Sequence, residues 1–171
     1  MQHQGQLVLV ERLGLVPAAS SATDVTAQEW LELPLAADQR TSLRGQRRSA
    51  CGAALLLQLP RGAALQPGEL LRGDDGRTLV RVSAAPEPLL RVRAADPLAL
   101  LQAAYHLGNR HVAMEIHADQ LLLLQDSVLA DLLRQRGLQV ECLEAPFQPE
   151  AGAYEGHSHS HSHDPAAAAH Q

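Results

Sequence analysis

The sequence predicts an α+β protein made of an N-terminal all-β domain, a ferredoxin-like βαββαβ domain and a flexible His-rich tail, and three observations carry that prediction. Before about residue 88 the apolar residues come in short or alternating runs separated by Gly, Pro and Asp, the pattern of strands and turns. From Leu89 to about residue 148, strand-like runs are interleaved with two runs of helical spacing. After Pro149 core-forming residues give way to Gly, Ala, Ser and His. The expected units are residues 1–88, 89–148 and 149–171.

In the first unit QLVLVERL, EWLELPLA, AALLLQLP and TLVRVSA read as strands. The stretch LRGDDGRTLV sets Asp75-Gly76 between two apolar runs, a strong local signal for a hairpin. LPRG and, a few residues on, LQPGELL read as turns bracketing a further strand. The basic run RTSLRGQRRS, with Arg40, Arg44, Arg47 and Arg48, reads as a solvated loop or a dock for an acidic partner.

In the second unit LLRVRA alternates and is a strand. PLALLQAAYHLG is a helix with Asp96 as N-cap and Pro97 in its first turn. VAMEIHAD alternates again and QLLLLQ is another strand. SVLADLLRQRG is a helix with Ser127 or Asp126 as cap and Gly137 as stop, and LQVECLEAP is the last strand. The order β-α-β-β-α-β is the split βαβ, ferredoxin-like pattern, with both helices on one face of a four-stranded antiparallel sheet.

Composition narrows the function. Hydrophobic residues make up 46% of the 171, but with one Phe, one Trp and two Tyr the packing falls to Leu, Val and Ala, and aromatic platforms for single-stranded nucleic acid are not expected. A formal charge of −5 argues against a phosphate-backbone partner. Residues 1–94 carry a net +2 and residues 95–171 a net −7, consistent with a boundary near Ala94. No apolar run approaches the roughly 18 residues of a membrane span, and the N-terminus lacks a basic segment followed by an apolar one, so a soluble cytoplasmic protein is expected. Cys51 and Cys142 lack CxxC spacing and read as buried or idle thiols, or one as a soft metal ligand. No HExxH, GxSxG, P-loop or strand-borne GxGxxG is present, and the chain has no lysine for a Schiff base. No catalytic residue is expected.

The histidines point to a metal. YHLGNRH places His106 and His111 five residues apart, about 140° around a helix, so they share an ion only if the chain turns; Gly108-Asn109 supplies the turn and leaves His111 at an exposed corner. In the tail His157, His159, His161 and His163 alternate with small residues, and His170 follows. Alternate side chains of an extended segment share one side at about 7 Å. Imidazole suits Ni, Cu and Zn. In AMEIHAD, Glu115, His117 and Asp119 share one face of a strand and form an N,O ligand set on paper; equally they are the wet face of a strand whose Val112, Met114 and Ile116 look inward.

Four stretches carry a resemblance to a known family: HLGNRH, VLADLLRQRGLQV, APFQPEAGAYEGHSHSH, and the earlier run from LPRGAALQPGELL to AADPLAL. Together, over roughly residues 55 to 163, they resemble the UreE family of urease accessory proteins, nickel metallochaperones of urease maturation. The resemblance implies an N-terminal domain similar to peptide-binding modules of heat-shock co-chaperones and a C-terminal metal-binding domain that forms a homodimer. It implies that His111 is the interface nickel ligand, that tail histidines complete the shell, and that the partners are urease and other accessory proteins including a GTPase. Zn(II) or Cu(II) is expected to bind as well as Ni(II). Some relatives carry extra histidines before the second helix; this chain has Gln125 and Ser127 there, so the expected capacity rests on His111 and the tail. A histidine-rich storage protein and a peptide-binding co-chaperone are the other readings.

Overall fold

The computed structural model describes residues 6–15 and 30–151. The first unit contains β1 (Leu7–Leu15), β2 (Leu31–Leu35), α1 (Ala37–Thr41), β3 (Arg44–Arg48), β4 (Ala54–Gln58), β5 (Glu69–Gly73) and β6 (Leu79–Ala84). Its six strands lie in the order β2-β6-β5-β1-β4-β3, with β1–β4 and β2–β6 parallel and the other pairs antiparallel. Leu9, Leu33, Leu55, Leu57, Leu71, Val80 and Val82 are fully buried in one cluster, so branched aliphatics do fill this core in the absence of aromatics.

Asp75-Gly76 turns β5 into β6 as the sequence predicts. Gly76 takes φ 69, which a side chain resists, and Asp75 Oδ1 accepts the Arg77 and Thr78 N–H groups, both at 2.9 Å. The Thr78 hydroxyl, and after it those two N–H groups, hold the Asp75 carboxyl down at about 2.

Residues 59–68 contain no strand, contrary to the sequence expectation. They make only isolated backbone bonds, such as Leu65 N–H to Arg40 O and Gly68 N–H to Val82 O, and are braced by side chains as well: Arg12 bonds Glu69 through Nε and Nη2, and its Nη1 donates to Ala63 O at 2.7 Å. Glu69 is buried and also accepts the Gln66 N–H at 3.0 Å. Arg12→Leu is expected to cost about 2 kcal/mol in urea denaturation, below the usual figure for a broken buried pair because the arginine is a quarter exposed. Arg72→Ala, which breaks an exposed pair with Glu11, should cost under about 1 kcal/mol. Equal losses in the two variants would show that burial of Glu69 plays no part.

The basic run is neither loop nor wholly solvated. Arg44–Arg48 pairs with β4 as the sheet's edge strand, and charged side chains suit an edge because they discourage pairing with another chain. Arg40 lies on the one-turn helix α1, buried, where its Nη1 donates to Leu35 O at 3.0 Å and its Nη2 to Phe147 O at 2.6 Å. Burial lowers the pKa of this guanidinium, against the opposing pull of Glu87, Asp38 and Glu115.

The second unit contains β7 (Pro86–Arg93), α2 (Pro97–Gly108), β8 (Met114–Ile116), β9 (Leu121–Leu124), α3 (Ser127–Gln135) and β10 (Gln139–Pro146). β7 begins three residues before the expected Leu89, because β10 pairs with it along its whole length, from Gln139↔Arg93 to Pro146↔Pro86. The four strands form a sheet in the order β10-β7-β9-β8, antiparallel throughout. Both helices contribute to the cluster on one face, where Leu100, Leu107 and Leu133 meet Leu90, Val92, Leu121 and Leu123.

The uninterrupted LLLL of β9 is explained by burial on both faces. Leu121 and Leu123 face the helices, whereas Leu122 joins Leu89 and Phe147 on the other side of the sheet, with Ala37 of α1 packed against them. The two units thus meet over a small apolar cluster, flanked by Arg40 and by an Ala37 N–H bond to Glu87 Oε1 of 2.8 Å. Among the described residues no helix is long and apolar enough to cross a membrane.

Candidate metal centre

Helix α2 decides where His111 stands. Asp96 accepts the Leu98 N–H at 3.0 Å, Pro97 occupies the first turn, and Leu100, Ala103 and Leu107 are buried at helical spacing. The opposite face presents Leu98, Leu101 and Tyr105, which are 58, 68 and 67% exposed. Apolar residues three and four apart form one stripe, and this stripe has no partner within the described residues.

The helix ends by a Schellman reversal. His111 N–H donates to Gly108 O at 2.9 Å and Val112 N–H to Leu107 O at 3.1 Å. Helix α3 ends in the same way, with Gly137 N–H on Arg134 O and Leu138 N–H on Leu133 O. The residue between the helix and the reversal must be left-handed: in α3 it is Gly137 at φ 80, in α2 it is His111 at φ 56. Among the described residues His111 is the one non-glycine with positive φ, a conformation that costs a side-chain-bearing residue roughly 1–2 kcal/mol. Local strain of this kind concentrates at functional positions. The turn foreseen at Gly108-Asn109 is present, but the left-handed residue is the histidine rather than the glycine.

The other expected ligands are dispersed. His106 is exposed, stacks edge-on against Tyr105 at 5.6 Å, and borders a crevice between α2 and α3 that Arg110 and Arg136 also line, a cationic setting poorly suited to holding another cation. His117 Nε2 lies 2.9 Å from Glu115 Oε1, and Glu115 Oε2 accepts the Gln148 N–H at 2.8 Å. Asp119 is in the turn after β8, which stops at Ile116, so the three residues do not share a strand face. Val112 and Met114 pack toward the helix-covered core as expected, but Ile116 is half exposed instead of facing inward, at the end of a short edge strand.

Among the described residues no group of three or more His, Cys, Asp and Glu side chains is close enough to hold a metal ion. Within the described residues His111 therefore belongs to no such group. Both cysteines are exposed rather than buried: Cys51 Sγ is 3.1 Å from Ser49 Oγ, a contact that lowers its thiol pKa, and Cys142 has only a long contact with Gln125. His157, His159, His161, His163 and His170 lie outside the described residues. Sequence reasoning missed Arg40, Glu115 and Phe147 as residues that fix the start of the tail segment; the sole phenylalanine in a leucine-rich chain was the available signal.

Two family models cover almost the whole chain: the N-terminal domain of the UreE urease accessory protein over residues 11–85, and its C-terminal domain over residues 87–171. The chain belongs to the UreE family. The urease accessory protein UreE of Parasynechococcus marenigrum is 54% identical over 154 residues, covering 90% of this chain and 97% of that protein. UreE of a Synechococcus strain is 61% identical over 133 residues, covering 78 and 76%, and UreE of Thermosynechococcus vestitus is 54% identical over 127 residues, covering 74 and 88%. As a UreE, the protein is an accessory factor and not an enzyme. The two model matches meet between β6 and β7, where the chain leaves the first sheet for the second.

Proposed function

We propose that this UreE is a cytoplasmic, homodimeric nickel metallochaperone that takes up Ni(II) and delivers it to apo-urease, in complexes with urease and other accessory proteins including a GTPase. Membership of a urease accessory family supports the role in urease maturation. The single observation that carries the metal reading is His111, exposed, held in a left-handed conformation and placed just beyond an unpartnered apolar helix face. One imidazole is a poor site, but a two-fold axis beside it brings two copies together, and Leu98, Leu101 and Tyr105 offer the apolar contact for such a pairing.

On this reading the chain keeps the three expected units, with the second starting at β7 (Pro86) rather than at Leu89, and the strand order β10-β7-β9-β8 supports a ferredoxin-like second domain. His157, His159, His161 and His163 collect metal and complete the shell, with His170, His106 and His117 as lesser candidates. Zn(II) and Cu(II) bind the same donors, and because copper outranks nickel on imidazole, selectivity rests on supply and partners. Only neutral imidazole binds metal, so affinity falls as the solution is acidified.

Calorimetric titration of Ni(II) into the intact chain, a chain ending at Tyr154 and His111→Ala tests this. The expected result is one tight nickel per dimer that survives truncation and is lost with His111. A tight site that survives His111→Ala and vanishes with the tail makes the protein a histidine-rich storage protein instead.

A further inference from the structure

We propose that an open groove at the start of β3 docks an acidic segment of a partner protein, which Arg44 and Arg61 hold through its carboxylates. The inference goes beyond the metal reading and uses none of its residues. The groove has a volume of about 370 Å³. Buried Leu43 and Leu59 form its base, exposed Arg44 and Arg61 flank them, and Gly62 adds no side chain to it.

The fold sets these residues together through one backbone bond. Leu59 N–H donates to Leu43 O at 3.1 Å, which joins the residue after β4 to the residue before β3. Arg44 opposes Gln58 in the sheet, and Arg61 lies three residues past Gln58, so both arginines leave the backbone beside that bond. Both leucines belong to the core cluster of the first unit, which fixes the base of the groove.

The charge there is uncompensated. Neither guanidinium makes a hydrogen bond or an ion pair among the described residues, whereas those of Arg12, Arg40, Arg47 and Arg48 are all engaged. No Asp or Glu lines the groove. An arginine fork matches a carboxylate with two parallel N–H donors, and two such forks beside an apolar base suit a segment that carries an apolar side chain between acidic ones. The formal charge of −5 on the whole chain opposes a long polyanion such as a nucleic acid.

The edge of β3 shows that the partner is held by side chains and not as an added strand. The Leu59 bond and the Ser49 N–H to Ala53 O bond of 3.0 Å set the alternation of the β3–β4 ladder, so Arg44 and Gln46 turn their peptide groups away from β4. Their outward carbonyls are already occupied: Ser42 Oγ donates to Arg44 O at 3.0 Å and Arg47 Nη1 to Gln46 O at 2.8 Å. Strand addition relies on free main-chain acceptors of this kind.

Fluorescence anisotropy of a short fluorescein-labelled peptide of alternating glutamate and leucine, titrated with the full-length protein, tests the site. The peptide is expected to bind the parent and to be released by added salt. Arg44→Gln and Arg61→Gln should each weaken it by up to about five-fold, the ceiling for an exposed ion pair, and together by about ten-fold or more. Arg81→Gln removes the same charge from an exposed position on β6, four places from β3 in the sheet, and should change nothing. Unchanged urea midpoints for the arginine variants check that each is folded.

A parent that does not bind the peptide would overturn the proposal. Equal weakening by Arg81→Gln would do so as well, since it reduces binding to net charge, as would equal binding of a peptide with glutamine in place of glutamate. A single-stranded oligonucleotide that binds more tightly than the peptide and depends on the same two arginines would make the groove a phosphate site instead. Nickel titration of the Arg44→Gln/Arg61→Gln variant is expected to match the parent, so that the failure of either reading leaves the other standing.

Discussion

Changing His111 to glycine is expected to make the protein more stable and, on the proposed reading, to abolish tight nickel binding. The left-handed φ of 56 costs a histidine roughly 1–2 kcal/mol, and glycine adopts it freely. Glycine's extra freedom in the unfolded chain takes back part of that gain, so the net rise should be about 1 kcal/mol, read as a higher urea midpoint at unchanged slope. Helix α3 serves as the internal control, because its reversal already uses Gly137 in the same hydrogen-bonded frame. The metal site should weaken by more than about 100-fold, beyond what losing a mere outer-shell partner costs. His111→Ala loses the metal but keeps the strain, so it should match the parent in stability. A glycine variant no more stable than the alanine one would mean that the backbone here is not strained.

Phe147→Ala is expected to cost about 3–5 kcal/mol, the usual penalty for emptying a phenylalanine site in a packed core. The ring is fully buried between Leu89 and Leu122, with Ala37 of the first unit against the cluster, and among the described residues no other aromatic belongs to that cluster. Phe147→Leu keeps most of the volume and should lose about 1–2 kcal/mol. Denaturation of the pair separates the two cases. A loss under about 1 kcal/mol for the alanine variant would show that the contact between the units is not a packed one.

Much of the second unit was legible because its signals are local. Asp96 with Pro97, Asp126 and Gly137 mark helix ends by chemistry that acts within one turn, and Asp126 does accept the Leu129 N–H at 2.9 Å. The Asp75-Gly76 hairpin was legible for the same reason. What escaped notice depends on contacts between distant parts of the chain. Helix α1 is a single turn and has no periodicity to read, and Arg40 sits in a basic run whose charge suggests water, whereas its partner is a carbonyl 107 residues away. Residues 59–68 carry turn residues, but the side chain that braces them comes from Arg12. Of the candidate ligands, His111 was marked by its motif, while its strain became visible only in the backbone angles.

The pairing of β7 with β10 runs from Arg93↔Gln139 to Pro86↔Pro146, so the strand that enters the second unit and the strand that leaves it terminate side by side. A load applied between the first sheet and the histidine segment would first reach the clamp around Phe147 and then this last pair. Antiparallel strands pulled apart from adjacent ends separate one rung at a time, like a zipper, and never share the load along their length. The protein is therefore mechanically soft along the one axis that joins its N-terminal sheet to its histidines. It should yield there at low force, while the four-stranded sheet behind resists.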